Sequence, residues 1–224
     1  MAIVTVSRQY GSGGRKIALR VAELLGYQVF DKRLIMELAA DIGFYGSEVI
    51  DFSEDHYKYK TIMGRLNQIF GVTPSGSVPI ASAVPGVEEI EKRAVDQFGE
   101  TAVVMLVNAT LHAAHDRGNV VIVGRGGQVV LKDKPDTFHV RVEAPPETRL
   151  ARLEKIENLT PQVARRLMDE RDKAGAQYME RHFRARWDDP MLYHLVINTG
   201  KMDTERAARL IAHAVEQMSQ QVTA

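Results

Sequence analysis

Near its start the chain runs Ile3-Val4-Thr5-Val6-Ser7-Arg8-Gln9-Tyr10-Gly11-Ser12-Gly13-Gly14-Arg15-Lys16. The first four of these residues are β-branched, which favours a β-strand. Apolar residues then recur at the three- and four-residue spacing of a helix, at Ile17, Ala18, Val21, Leu24 and Leu25. The pattern therefore predicts a strand, a glycine-rich turn and a helix, in that order.

The glycine-rich turn has the features of an anion-binding site. Glycines let the backbone turn tightly and bring its N–H groups near a ligand. The helix that follows contributes unpaired N–H groups and the positive end of its dipole. We therefore expect the turn to bind a phosphorylated ligand, through Gly11, Ser12, Gly13, Gly14, Arg15 and Lys16.

The turn departs from the common phosphate-binding motif G-x-x-x-x-G-K-[ST]. With Gly14 as the second glycine, Gln9 takes the place of the first glycine, Arg15 that of lysine and Lys16 that of the hydroxyl residue. An arginine fork is not equivalent to a compact ammonium group. The hydroxyl that usually binds Mg²⁺ is also missing in this alignment.

Two other interpretations of the turn stay open. It could simply connect a strand to a helix. It could also belong to the dinucleotide-binding motif G-x-G-x-x-G. Gly11 and Gly13 fit the start of that motif, and Asp31 stands at the interval of a ribose-binding acid, but Lys16 replaces the third glycine.

The composition excludes several classes of protein. Lys and Arg number 29, as do Asp and Glu, and this balance gives no support for binding nucleic acid or an anionic membrane. The absence of cysteine excludes disulfides and thiol catalysis. No apolar stretch reaches the length of a membrane span. We therefore expect a cytoplasmic enzyme.

Strands and helices alternate along the chain. Strands are predicted at Ile3–Ser7, Tyr27–Phe30, Val120–Val123, Thr137–Ala144 and His194–Asn198. Helices are predicted at about Gly14–Leu25, Lys32–Ile42, Val87–Arg117 and Glu147–Glu157, and after Thr160 and Asp203. The last helix should bury Ala207, Leu210, Ile211, Ala214 and Val215. Such alternation predicts a parallel sheet, whose ligands bind beyond the carboxyl ends of the strands.

Segments from the first predicted strand to the last form a recognisable set. They are Ser7–Arg15, Gly26–Lys32, Val121–Gly127, Phe138–Val142 with Ala144, Pro145 and Arg149, and Trp187–Pro190 with Tyr193–Thr199. As a set they resemble the cytidylate kinase-like family, P-loop nucleoside-monophosphate kinases with an atypical phosphate loop. The resemblance covers the chain except for about Gly43–Gly99.

The resemblance implies an α/β, three-layer P-loop NTPase fold with a five-stranded parallel sheet. It implies a single kinase domain over residues 1–224. The core would comprise residues 1–42, 118–146 and 187–224, with an acceptor-side helical insertion at about 43–117 and a helical lid at about 147–186. The implied reaction transfers the γ-phosphoryl of ATP, with Mg²⁺, to a nucleoside monophosphate, typically CMP or dCMP.

The resemblance also implies roles for individual residues. Arg15 or Lys16 would act on the γ-phosphate, and Arg125 would bind the acceptor as the arginine of a G-R-D motif does. Asp31 would orient the acceptor or a metal-bound water. The lid would close on phosphates through Arg149, Arg152, Arg171 and Asp172, and the residues expected to be catalytic are Arg15, Lys16, Arg125 and Arg149.

A purely structural role also stays open for several of these residues. Arg149 and Arg152 could lie on a solvated helix face, and Asp31 could cap the helix that follows it. The acid of the G-R-D motif is replaced by Gly126, and an arginine common in the lid is replaced by Gly175. These departures leave open a kinase of the same fold with another small acceptor, or a non-catalytic nucleotide-binding regulator.

The partners expected from the resemblance are small-molecule nucleotides. We expect no nucleic acid and no membrane, and we leave a homodimer open as the assembly. No protein ligand for a metal is assigned with certainty.

Overall fold

The computed structural model describes residues 2–30, 104–105, 107–157 and 159–222. The chain divides into two compact units, residues 1–31 with 111–224, and residues 32–110. Most of the predicted insertion lies outside the described residues, as do Asp31 and the predicted helix at Lys32–Ile42. The division into core, insertion and lid therefore stays a prediction.

A five-stranded sheet forms the centre of the first unit. Its strands are β1 (Ile3–Arg8), β2 (Gln28–Phe30), β3 (Val120–Val123), β4 (Thr137–Glu143) and β5 (Leu195–Asn198). The spatial order is β2-β3-β1-β4-β5, and each neighbouring pair is parallel. The predicted parallel sheet is therefore confirmed, and the carboxyl ends of its strands share one edge.

Helices connect the strands. They are α1 (Gly14–Leu25), α2 (residues 107–117), α3 (Gly127–Val130), α4 (Pro146–Glu157), α5 (Pro161–Phe183) and α6 (Thr204–Val222), with a 3₁₀ turn at Pro190–Leu192. Helix α1 ends at Gly26, whose left-handed backbone (φ 66°) donates to the last carbonyls of the helix, as glycine does at such ends.

One face of the sheet is apolar. Alternate residues of β1 and β4 pack there against α1 and α6, and the shared core is Val4, Val6, Ile17, Val21, Val140, Val142, Ile211 and Val215. Leu210, expected in this core, is instead 42% exposed, because the stripe of α6 centres on Ala207, Ile211 and Val215.

The opposite face is unusually polar for a buried parallel sheet. Thr5, Ser7, His139 and Arg141 are all buried there. Helix α3 lies on this side, since a Cβ on Gly127 would be 3.2 Å from the Cγ2 of Thr5. The sheet thus separates an apolar layer from a layer that carries hydrogen-bonding groups toward the carboxyl edge.

Candidate functional site

The loop between β1 and α1 presents unpaired backbone donors at the carboxyl edge of the sheet. Gly11 (φ 76°) and Gly13 (φ 83°) adopt left-handed conformations that favour glycine. The first helical bond runs from the N–H of Ile17 to the carbonyl of Gly13 (3.1 Å), so the N–H groups of residues 14–16 precede it. No side chain caps this end and no acid stands in the first turn, which leaves the helix end suited to an anion.

Helix α4 packs directly on this loop. A Cβ on Gly11 would lie 3.1 Å from the Cβ of Arg149, and Tyr10 packs against the small apolar cluster between α4 and α5. Arg152 donates to the carbonyl of Ser12 (2.9 Å) and to that of Thr199 (2.8 Å). Arg152 therefore ties the phosphate-loop backbone to the turn after β5.

Asp172 of α5 joins the same loop. Its Oδ1 accepts from the N–H of Tyr10 (2.8 Å), and its Oδ2 is paired with Arg149. Arg149 also donates to the carbonyl of Tyr10 (3.2 Å), and its Nε is buried without a partner among the described residues. The arginines of α4 thus face the loop and not solvent, so a solvated helix face is excluded for both.

Three arginines lie near one another at the carboxyl edge of the sheet. Arg8 ends β1, Arg15 lies in the first turn of α1, and Arg125 follows β3. The pKa of Arg8 is lowered because the surrounding protein desolvates its guanidinium, and secondarily because Arg125 and Arg15 repel it. Such a group of like charges favours a bound anion.

Arg125 is held in a strained backbone. It has a φ of 64° and stands between Gly124 (φ 75°) and Gly126 (φ 73°), so three successive residues are left-handed. A left-handed conformation costs a non-glycine residue roughly 1–2 kcal/mol. Such strain is found at functional sites, and here it fixes the direction of the Arg125 side chain.

Both departures from the cytidylate kinase pattern lie against aromatic rings. A Cβ on Gly126 would come within 2.7 Å of the Cζ of Phe183, so an acid cannot stand there without moving that ring. A Cβ on Gly175 would lie 3.3 Å from the ring of Trp187. In each case a ring of this chain lies against the position where the common pattern has a charged side chain.

A polar network lies beside the loop on the α3 side of the sheet. Trp187 donates through its indole N–H to the hydroxyl of Ser7 (2.8 Å), and Tyr193 donates to the carbonyl of Trp187 (2.8 Å). Arg141 lies under the Trp187 ring at 4.7 Å and pairs with Glu143 (2.6 Å). Trp187 is therefore more than a packing anchor, because it fixes the residue that precedes Arg8.

A cavity of about 580 Å³ opens next to this network. Gln9, Arg141, Asp172, Lys173, Gln177 and Trp187 contribute to its lining. Its volume lies in the usual range for small-molecule sites, about 300–1,000 Å³. Gln9 and Asp172 connect it to the phosphate loop, so a ligand could contact both.

The structure brings together most of the residues expected at the site. Residues Gly11–Lys16, Arg149, Arg152 and Asp172 meet at the loop, while Arg171 is exposed on α5. Asp31 lies outside the described residues. Sequence reasoning assigned no role to Arg8 or Arg141, although a cation directly before a glycine-rich turn was a visible signal for the first.

Within the described ranges, no group of three His, Asp or Glu side chains could hold a metal ion. In the same part of the chain, no helix has the length and apolar character needed to cross a membrane.

The strand order and the glycine-rich turn at the start of α1 define a P-loop NTPase fold of three layers. The chain belongs to the Cytidylate kinase-like family, whose model matches residues 3–201.

Individual relatives are more distant. A stretch of 105 residues is 33% identical to a cytidylate kinase of Methanocaldococcus jannaschii and covers 46% of this chain and 58% of that protein. A stretch of 102 residues is 29% identical to a cytidylate kinase of Thermoplasma acidophilum, covering 45% and 54%. The chain thus matches little more than half the length of these curated relatives.

A solved structure resembles nearly the whole chain. It is that of an uncharacterized protein from Eubacterium ventriosum, with a TM-score of 0.63 at 19% identity over 96% of this chain and 99% of the other. A likeness at this identity shows the fold alone.

Proposed function

We propose that this chain transfers the γ-phosphoryl group of ATP to a nucleoside monophosphate, with CMP or dCMP as the acceptor. The observation that carries the proposal is that the uncapped start of α1 and three cations lie together at the carboxyl edge of the sheet. The cations are Arg8, Arg15 and Arg125. Family membership supports a nucleotide as the ligand.

The donor would bind at the loop. The N–H groups of residues 14–16 would hold a phosphate, while Arg15 and Lys16, both exposed in the first turn, would approach the outer phosphates. An oxygen of the acceptor's phosphate attacks the γ-phosphorus, the bond to the β-phosphate oxygen breaks, and ADP leaves with a nucleoside diphosphate. This chemistry needs positioning and neutralisation of charge more than a protein nucleophile.

The acceptor would be held by Arg125. A guanidinium can grip a phosphate with two parallel hydrogen bonds, and the left-handed backbone of residues 124–126 holds that fork in one direction. The cavity beside Gln9 and Trp187 has a volume in the range of small-molecule sites, about 300–1,000 Å³, and would receive the nucleoside. Asp31, which the resemblance implies for orienting the acceptor, would add to the binding by Arg125 and the cavity.

The lid would close through α4 and α5. Arg149 and Asp172 already hold each other and the loop, so closing on a nucleotide exchanges this internal pair for phosphate contacts. Excluding water protects a reactive phosphoryl group from hydrolysis. When bound to ATP, Mg²⁺ would neutralise phosphate charge.

One observation favours a second candidate, a kinase of the same fold with another small acceptor. The acid of the G-R-D motif is absent because Gly126 lies against Phe183. An acceptor that relies on that acid would therefore be recognised differently here.

A coupled assay of ADP release, screened against all ribo- and deoxyribonucleoside monophosphates, tests the proposal. Turnover with CMP or dCMP well above the ATPase background supports it. Turnover confined to other acceptors supports the second candidate. ATP binding without turnover on any monophosphate contradicts the proposed reaction and favours a nucleotide-binding regulator.

A further inference from the structure

The structure changes how the phosphate loop aligns with the common motif. A motif glycine is required where the backbone is left-handed, and of the adjacent pair only Gly13 has a positive φ, 83°. Gly13 directly precedes α1, and Gly14 is its first helical residue. With Gly13 as the second glycine of G-x-x-x-x-G-K-[ST], Arg8 takes the place of the first glycine and Gly14 that of lysine.

These two exchanged positions touch each other in space. A Cβ on Gly14 would overlap with the Cβ of Arg8 and lie 3.0 Å from its Cγ and 3.3 Å from the Cβ of Val142. The side chain of Arg8 therefore starts in the space where a side chain of residue 14 would start. Only one of the two positions can carry a long side chain, and in this chain it is residue 8 of β1 and not residue 14 of α1.

The guanidinium of Arg8 reaches across the edge of the sheet. A Cβ on Gly124 would lie 3.3 Å from the Cζ of Arg8, which places the guanidinium against the loop that carries Arg125. Among the described residues, Arg8 has no carboxylate partner, and its charged neighbours Arg125 and Arg15 both repel it. The side chain of Arg8 is exposed at the carboxyl end of β1, so an anion can reach it there and would offset the repulsion from Arg125 and Arg15.

We propose that Arg8 is the phosphate-binding cation of this loop and replaces the lysine of the common motif. The inference rests on the proposed function only in naming the ligand, the outer phosphates of ATP. An arginine can hold two phosphate oxygens at once, which a single ammonium group does not do with the same geometry. In this alignment Arg15 stands in the place of the hydroxyl residue.

The first experiment compares ATP affinities by calorimetry with no acceptor present. Arg8→Ala is expected to weaken ATP binding about 10- to 100-fold, as expected for losing a charge-assisted pair of hydrogen bonds. Arg15→Ala is expected to weaken it less. Arg20→Ala is the control, because Arg20 lies on α1 as Arg15 does and its guanidinium is paired with Glu205 of α6.

A reciprocal exchange makes the test independent of simple loss of charge. Gly14→Lys alone places two side chains in one space, and Arg8→Gly alone removes the cation, so each single variant is expected to bind ATP poorly. The double variant Arg8→Gly with Gly14→Lys restores the common arrangement. It is expected to recover ATP affinity to within about threefold of the wild type if the two positions are equivalent. Circular dichroism and thermal unfolding establish that each variant folds.

The outcomes separate this inference from the proposed reaction. Wild-type ATP affinity in Arg8→Ala, or a double variant no better than the poorer single one, overturns the role of Arg8. Wild-type protein that binds ATP but phosphorylates no monophosphate overturns the reaction and leaves the role of Arg8 standing. Failure of the wild type to bind any nucleoside triphosphate overturns both.

Discussion

The carboxylate of Asp172 accepts a hydrogen bond from the backbone N–H of Tyr10 at 2.8 Å, across 162 residues of sequence. Its other oxygen holds Arg149, which is only 8% exposed and which also binds the carbonyl of Tyr10. One acid thus fastens α5, α4 and the start of the phosphate loop together. Removing it would leave the buried cation of Arg149 without a counter-charge.

Asp172→Ala is expected to loosen α4 and α5 more than the rest of the first unit. Amide hydrogen exchange within residues 147–183 should accelerate by about tenfold or more, since a buried pair and a backbone bond are lost together. Asp169→Ala is the control, because Asp169 is exposed on the same helix. Equal exchange in both variants would mean that the Asp172 contacts do not hold the lid.

The second prediction concerns pH and His139. Burial, and secondarily the nearby His194, lower the pKa of His139 from its usual 6.5 to about 4. The native protein therefore keeps His139 neutral where the unfolded chain binds a proton. The contribution of neutral His139 to the free energy of unfolding is fully present above pH 6.5. It is lost as the pH falls toward 4, and the total loss is roughly 3 kcal/mol.

Urea unfolding at pH 7.5 and pH 5.0 measures this effect. The loss of stability between the two values should be smaller by roughly 2 kcal/mol in His139→Gln than in the wild type. His213→Gln serves as the control, since His213 is exposed on α6. An identical pH dependence in wild type and His139→Gln would show that His139 titrates normally in the native state.

Much of the fold could be predicted from local sequence. The limits of α1 and β3 agree with the structure, because β-branched runs and a terminal glycine specify them without distant contacts. The short helix α3 was not predicted. Its first turn depends on the left-handed residues 124–126, and the positive φ of Arg125 (64°) is not indicated by the propensity of a non-glycine residue.

The site was predictable as a location but not as a set of contacts. Arg149 and Arg152, which the resemblance implied for the lid, both contact the loop. Their partners, Asp172 and the carbonyl of Ser12, are distant in sequence and follow from packing alone. The alignment of the loop likewise needed the φ of Gly13 and the space beside Gly14, neither of which is visible in the letters.

The third prediction separates backbone strain from steric overlap at two glycines. Gly26 (φ 66°) has no atom within 4 Å of an added Cβ, so Gly26→Ala should cost only the strain, roughly 1 kcal/mol. Gly126→Ala adds overlap with Phe183 and should cost roughly 3 kcal/mol. Denaturant unfolding measures both.

Removing the ring tests the cause. In a Phe183→Ala background, Gly126→Ala should cost about as much as Gly26→Ala, because only the strain remains. An excess cost that persists without the ring would place the constraint on Gly126 elsewhere.

The last prediction assigns Arg125 to the acceptor. Arg125→Lys keeps the charge but loses the two-pronged fork, so KM for the monophosphate should rise about tenfold or more while ATP affinity stays nearly intact. Arg125→Gly should raise KM further. It should lower stability by less than about 1 kcal/mol, because relief of the left-handed strain offsets the greater conformational entropy of glycine in the unfolded chain. Arg184→Gly is the matched control, because Arg184 (φ 51°) is also a left-handed arginine and ends α5. It should leave KM unchanged.

Equal loss of ATP binding in Arg125→Lys would move Arg125 to the donor side, and a large loss of stability with unchanged KM in Arg125→Gly would make its role structural.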